Sequence, residues 1–187
     1  FNGTHIALMH FDGADWTLEP VYEYNLSVVD VMVGNFDFHT GQEIVSVYLN
    51  TTSWETLVYE YYKDAGVWVS NKIATLNGLG FAVLKGNING TLDSPTDDIV
   101  VSTIDIEYSG TSLVITYYVY LISMDVFGSL YISSISSSDE IVGILAGDFN
   151  PEEPGEELLI SNIVQKTLIN ATVRQNVLKE SEFYSLG

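Results

Sequence analysis

Three copies of a short turn motif constrain the fold of this chain more than any other sequence feature. Residues 34–37 (GNFD), 86–89 (GNIN) and 147–150 (GDFN) each follow an apolar stretch and precede a second one. The first two glycines are 52 positions apart, as are Trp16 and Trp68, and the third glycine follows after 61 positions. A unit of about 50 to 60 residues made of short strands cannot bury a core alone, so neighbouring units must stack. The spacing therefore predicts an array of β units.

The stretches between these motifs have the composition of strands. Windows 43–49, 56–62, 97–106 and 112–122 are rich in β-branched and aromatic residues, mostly in alternation. Turn residues separate them at 63–66, 77–78 and 108–110, where Gly and Asx suit tight hairpins. Residues 165–182 favour a further hairpin over a helix. We expect an all-β chain with almost no helix.

Alignment on the glycine motif predicts one repeat domain over residues 1–187. It is expected to be a β-propeller-like array of four-stranded antiparallel blades, with about three and a half repeats. The predicted units are a partial blade at 1–26 and blades at 27–76, 77–137 and 138–187. A closed propeller usually needs at least four blades, and an open sheet edge must be paired or covered. The first hairpin is therefore expected to be completed by the last blade, by a neighbouring subunit or by blades outside this chain.

Charge and composition exclude several classes of protein. Six basic residues against 25 acidic ones give a net charge of -19, which would repel a phosphate backbone and argues against a nucleic-acid partner. The chain has no cysteine, so neither disulfides nor thiolate metal sites are available. The longest apolar stretch, 113–127, carries polar interruptions and falls short of the ~20 residues of a spanning helix. We expect no membrane span, and the start at Phe1 is typical of a processed or trimmed product.

Five N-glycosylation triplets indicate a compartment. Chance would give about two in a chain with this content of Asn, Ser and Thr. Incidental triplets from Thr-rich strands and Asn-rich turns are the alternative explanation. The excess predicts a secreted or cell-surface glycoprotein carrying covalent N-glycans. The acceptor residues are Asn2, Asn25, Asn50, Asn89 and Asn170.

The turn motifs resemble those of the FG-GAP and VCBS repeat families, which occur in integrin α-subunit propellers and in secreted microbial propellers, lectins and adhesins. The family pattern is roughly G-D-F-N-G-D-G-x-x-D followed by an apolar strand, and the resemblance covers nearly the whole chain. It implies calcium held by loop oxygens, although the aspartate pattern is incomplete and His39 stands at one ligand position. The alternative is that Asn and Asp side chains cap their own turns. The implied ligands are Asn35, Asp37 and Glu43 in the first loop, and Asp148, Asn150, Glu152 and Glu157 in the third.

The remaining chemistry favours binding or structure over catalysis. No combination of base, nucleophile and orienting group is recognisable, and acidic pairs are expected by chance among 25 acids. Trp54, Tyr61 and Tyr117 are candidates for ligand or interface contacts, because amphipathic rings suit both. We therefore expect a non-enzymatic extracellular module that is structural, adhesive or filament-forming, with self-association or other surface proteins as partners. The alternatives are a carbohydrate-binding lectin-like propeller and an accessory propeller of a larger secreted enzyme.

Overall fold

The architecture is all-β, as the sequence predicts. The computed structural model describes residues 4–11, 13–37, 39, 41–88, 96–124, 128–149, 156–162, 167–174 and 177–185. These residues form strands, turns and bends, with no helix among them. It follows that the described ranges contain no helix with the length and hydrophobicity to cross a bilayer.

Fourteen described strands form one hairpin and three antiparallel four-stranded sheets. The hairpin pairs β1 (Thr4–Phe11) with β2 (Trp16–Tyr24). Sheet I consists of β3 (Ser27–Gly34), β4 (Glu43–Asn50), β5 (Glu55–Asp64) and β6 (Val67–Asn77). Sheet II consists of β7 (Leu79–Gly86), β8 (Asp98–Ser109), β9 (Ser112–Met124) and β10 (Leu130–Ser137). Sheet III consists of β11 (Ile141–Gly147), β12 (Glu157–Asn162), β13 (Thr167–Arg174) and β14 (Val177–Ser185).

Each sheet is a meander in which consecutive strands pair. Within each sheet the first strand of the repeat lies at one edge and the fourth at the other. Because side chains alternate along a strand, one strand can pack against both neighbouring sheets. On β9, for example, Tyr117 packs toward sheet III and its neighbour Tyr118 packs toward sheet I.

A glycine turn connects sheet I directly to sheet II. Gly78 has φ +80, and a Cβ at this position would lie 2.5 Å from the carbonyl oxygen of Ile104. Thr56 holds the turn from sheet I, because its hydroxyl donates to Gly78 O at 2.8 Å and accepts from Gly80 N at 2.7 Å. Only glycine combines that φ with that close approach.

Three apolar clusters hold the layers in the order hairpin, sheet I, sheet II, sheet III. The first lies between the hairpin and sheet I, the second between sheets I and II, and the third between sheets II and III. The first strands of consecutive sheets lie beside one another, β3 with β7 and β7 with β11. Among the described residues no apolar cluster joins sheet III to the hairpin, so this part of the chain is a linear stack.

Candidate functional site

The three repeated loops each connect the first and second strands of a sheet. In each, the motif glycine pairs across the ladder with an acidic residue that begins the second strand. These acids are 1–2% exposed although the chain is highly acidic. The pairs are Gly34 with Glu43, Gly86 with Asp98, and Gly147 with Glu157.

The buried acids of the first and third loops bind loop backbone. Glu43 Oε2 accepts from Phe36 N at 2.8 Å, and Glu157 Oε2 accepts from Phe149 N at 2.7 Å. Burial raises the pKa of the Glu43 carboxyl, and the Phe36 N–H opposes that shift. Both acids therefore fix the loop conformation in the way expected of a turn-capping side chain.

In sheets II and III a second acid connects the sheet to the preceding one. Asn35 N donates to Asp97 Oδ2 at 3.1 Å, and Asp97 N donates to Asn35 O at 2.5 Å. The same two bonds recur between sheets II and III. There Asn87 N donates to Glu156 Oε2 at 2.8 Å, and Glu156 N donates to Asn87 O at 2.9 Å. We call this pair of bonds the inter-sheet bridge.

The inter-sheet bridge explains why the motif begins with glycine. A Cβ on Gly34 would lie 2.5 Å from Asp97 Oδ2, and a Cβ on Gly86 would lie 2.5 Å from Glu156 Oε2. A side chain at either position would displace the carboxylate that connects the sheets. The ring of the motif phenylalanine restricts the glycine as well, since a Cβ on Gly34 would lie 2.7–2.9 Å from the Phe36 ring and a Cβ on Gly147 3.0–3.4 Å from the Phe149 ring.

A cleft of about 480 Å³ with polar and apolar lining residues opens between sheets I and II beside the first loop. Its lining includes Asp37, His39, Glu60 and Asn71. His39 N donates to Asp37 Oδ1 at 2.6 Å, its ring contacts Asp37 Oδ2, and it stacks on Tyr62 with centroids 3.8 Å apart. The loop therefore places an imidazole at the mouth of the cleft and a carboxylate behind it.

Glu60 is the most perturbed acid of this cleft. It is 2% exposed, and desolvation raises its pKa to about 7, helped by the nearby Asp37 and Glu43 carboxyls. His39 and the Asn71 side chain oppose the shift. Such a group can hold or release a proton near neutral pH.

The predicted calcium ligands do not converge on one point, as the ligands of a bound cation would. Glu43 and Glu157 accept backbone N–H groups, Asp37 is buried against His39, and Asn35 contributes its backbone to the bridge. Asp148 is exposed, while Asn150 and Glu152 lie outside the described residues. Among the described His, Asp and Glu side chains, no group of three or more has a metal-binding arrangement.

Two of the predicted glycan acceptors, Asn25 and Asn50, line a second cleft, between the hairpin and sheet I. Asn25 is exposed in the turn between β2 and β3, and Asn50 is half-buried at the end of β4, where its Oδ1 accepts from Thr52 N at 3.2 Å. Asn170 lies on β13 opposite Leu159 and Glu182. Asn2 and Asn89 lie outside the described residues.

The three aromatic candidates have different environments. Trp54 lies in the β4–β5 turn with φ +59 and is 37% exposed beside a cleft between sheets I and II. Tyr61 is fully buried between sheet I and the hairpin, where its hydroxyl bonds Tyr48 at 2.8 Å, so it does not face a ligand. Tyr117 packs in the sheet II–III interface. Trp54 is thus the most exposed of the three, while Tyr117 is half-buried.

Sequence reasoning treated Asp97 and Glu156 only as members of acidic pairs expected by chance, and it did not identify Glu60 as a site residue. A signal for the first two exists, because each directly precedes the acid that starts a second strand. Glu60 carries no comparable signal, since it follows ordinary alternation on β5 and its burial depends on sheet II. The resemblance to calcium loops drew attention to the acids next to these positions instead.

Searches against protein-family models and against curated protein sequences found no match to this chain. The resemblance to FG-GAP and VCBS repeats therefore stays a prediction from the turn motifs.

Proposed function

We propose that this chain is a non-enzymatic module of an extracellular or cell-surface glycoprotein, with a structural, adhesive or filament-forming role. In this proposal its sheets are propeller-like blades of the FG-GAP/VCBS type. Its partners are further copies of itself or other surface proteins, and N-glycans cover exposed turns. Neither nucleic acid nor a catalytic substrate takes part.

The observation that carries the proposal is the repeated sheet-to-sheet interface. Apolar faces, a buried acid at the start of each second strand and the inter-sheet bridge recur from sheet I to sheet III. A repeated interface lets a chain extend by adding equivalent layers, each contacting its neighbours. Such an array suits spacing, display or assembly at a surface.

The glycan part of the proposal is supported by the exposed turn at Asn25 and by Asn50 at a strand end. Calcium stays a proposed ligand of the third loop, where Asp148 is exposed. A rise in the thermal midpoint with calcium, reversed by a chelator, would support it. An unchanged midpoint would contradict it.

The experiment for the main proposal is peptide mapping and particle sizing of the protein isolated from its natural source. We expect hexose-bearing peptides that contain Asn25 or Asn50, in particles much larger than a single chain. Bare peptides from a 20.7 kDa monomer would contradict both the location and the assembling role.

A carbohydrate-binding role is the second candidate, favoured by the cleft at His39. Asn71 and Asp37 offer hydrogen-bonding groups there, and the stacked His39–Tyr62 pair offers a ring. A glycan array would test it with His39→Ala and with Trp54→Ala, since the two residues line different clefts. Binding that His39→Ala abolishes and Trp54→Ala retains would support the His39 cleft, and the reverse would favour Trp54. Absence of binding by the unmodified protein would contradict this role.

A further inference from the structure

The repeat assigns a direction to every sheet of the stack. The residue two before the motif glycine faces the next sheet, since Met32 packs on the sheet I–II cluster and Leu84 on the sheet II–III cluster. The residue three before it faces the preceding sheet, since Val83 packs toward sheet I and Ile144 toward sheet II. For the first and last sheets, each first-strand residue can therefore be compared with its equivalent in the interfaces between sheets I and II and between sheets II and III.

At the far end of the stack, sheet III exposes the positions that face a next sheet. Leu145 is equivalent to Met32 and Leu84 and is 57% exposed. Phe149 is equivalent to Phe36 and Ile88, which are 4% and 2% exposed, yet it is 45% exposed. Leu159, equivalent to the fully buried Val45 and Val100, is half-buried. We call Leu145, Asp148, Phe149 and Leu159 the third-sheet face.

At the near end, sheet I exposes the positions that face a preceding sheet. Val31 is equivalent to Val83 and Ile144 and is 41% exposed, and Val33 on the same strand is 43% exposed. Gln42 is exposed and directly precedes Glu43, as Asp97 and Glu156 directly precede their buried acids. We call Val31, Val33 and Gln42 the first-sheet face.

The hairpin covers the rest of that side of sheet I and extends its apolar surface outward. Ile6, Val21 and Leu8 pack on sheet I. The opposite side of the hairpin carries directly paired residues that are 53–70% exposed. They are Met9 with Leu18 and Phe11 with Trp16.

We propose that the third-sheet face binds the first-sheet face of a second copy of this chain, head to tail. Leu145 would lie against Val31 of the second copy, continuing the first-strand contact made by β3 with β7 and by β7 with β11. The exposed side of the second copy's hairpin would lie against the outer strands of sheet III. This inference rests on the proposed assembling function and names its contact surfaces.

The polar groups at the two ends are complementary. Inside the chain, each inter-sheet bridge joins the backbone of an Asn to the carboxylate and backbone N–H of an acid, Asn35 with Asp97 and Asn87 with Glu156. At the ends, the third loop has Asp148 in the Asn position and sheet I has the neutral Gln42 in the acid position. In a head-to-tail contact the Asp148 backbone would take the role of the Asn backbone, and the Gln42 side-chain oxygen would accept from Asp148 N in place of a carboxylate oxygen. Two third-sheet faces meeting each other would place two Asp148 carboxylates close together.

Each contact is apolar at its centre and acidic around it, because every copy carries a charge of -19. Repulsion between copies should therefore weaken association in dilute buffer. At about 1 M salt the screening length falls to about 3 Å, and the apolar contact should dominate.

The test is sedimentation velocity on the unmodified chain over a range of concentrations, at low salt and at about 1 M salt. Leu145→Glu disrupts the third-sheet face, and Val31→Glu disrupts the first-sheet face. Leu113→Glu is a matched control, since Leu113 is 51% exposed on sheet II. Circular dichroism checks that each variant is folded. We expect salt-promoted association by the unmodified chain and by Leu113→Glu. Each of the other two variants alone should associate at least about tenfold more weakly, because a carboxylate would enter an apolar contact.

The decisive sample is a mixture of Leu145→Glu with Val31→Glu. Each retains the face that the other has lost, so a head-to-tail contact predicts dimers in the mixture and monomers in either variant alone. Dimers of Val31→Glu alone would show a symmetric contact and overturn the proposal. A monomeric unmodified chain at all salt concentrations would also overturn it.

A cross-link provides a second readout, since the chain has no cysteine of its own. The double variant Asp148→Cys with Gln42→Cys should give a ladder of disulfide-linked oligomers under mild oxidation, whereas Asp148→Cys with Glu107→Cys should not. Equal ladders from both pairs would contradict the assigned faces. If the chain associates but these faces are not involved, this inference fails and the assembling function stands. Glycopeptide mapping and native particle size decide that function separately.

Discussion

Replacement of Glu60 by Gln should change how the stability of this protein depends on pH. Glu60 is 2% exposed between sheets I and II, and Asp37 and Glu43 are its acidic neighbours. His39 and Asn71 face it as well, and both favour its ionised form. The amide of Gln has the shape of the protonated acid and cannot ionise, so the variant isolates the effect of the charge.

The magnitude follows from the shift in the Glu60 pKa, from an ordinary 4.5 to about 7 in the folded chain. A shift of about 2.5 units corresponds to about 3 kcal/mol, as an upper limit because the site can relax. Since the folded pKa is raised, the protonated acid contributes its full stability below pH 4.5. That stability decreases as the pH rises through about 7. Glu60→Gln should therefore match the wild type near pH 4.5 and exceed it in free energy of unfolding by up to about 3 kcal/mol above pH 8.

The assay is urea unfolding of both proteins between pH 4.5 and 8.5, analysed as the difference in unfolding free energy. The difference matters because many other acids titrate in this range and cancel between the two proteins. Glu107→Gln, an exposed change on sheet II, is the matched control and should give a difference that does not vary with pH. A constant difference for Glu60→Gln as well would refute the assignment of a buried, strongly perturbed carboxyl.

Two further predictions test the repeat itself by thermal or urea unfolding. Gly86→Ala should cost about 1–3 kcal/mol, because its Cβ would displace the Glu156 carboxylate from the inter-sheet bridge. Gly143→Ala, whose Cβ would meet only the Ser161 hydroxyl at 3.1 Å, should cost clearly less, and equal costs would contradict the bridge. Phe36→Ala should lower the free energy of unfolding by about 3–5 kcal/mol. The equivalent change Phe149→Ala should lower it by less than about 1.5 kcal/mol. A similar loss from both would show that position 149 is buried in solution.

The strand pattern and the turn motifs predicted most of the fold, because both are local signals. Alternating β-branched and aromatic residues gave β4, β5, β8 and β9, and the final hairpin at 167–185 was also expected. The four-stranded antiparallel sheets followed from the spacing of the motif glycines. Closure into a propeller stays a prediction, since it depends on contacts beyond the linear stack.

The site was harder to predict because its chemistry depends on which sheet lies next to which. Glu43 and Glu157 occupy positions where the repeat family has cation ligands, and only the geometry shows them bound to Phe36 and Phe149 N–H groups. Tyr61 has the same residue type as an exposed binding ring, yet the hairpin buries it. Glu60 is perturbed because the sheet II face covers it, which no local pattern on β5 encodes.

The use of backbone N–H groups as partners explains how so acidic a chain can bury carboxylates at its interfaces. With six Lys and Arg against 25 acids, ion pairs cannot neutralise most of the acids of this chain. The buried Glu43 and Glu157 instead accept from loop amides, whose positions the repeat fixes. The half-buried Asp97 and Glu156 accept in the same way from the preceding sheet, and Asp97 also lies 3.4 Å from Lys85 Nζ. Such bonds need no basic residue on the neighbouring layer, so identical layers can be added without a compensating positive surface. Because the chain has few basic residues, its negative surface charge is not neutralised, and this charge makes contact between copies depend on salt.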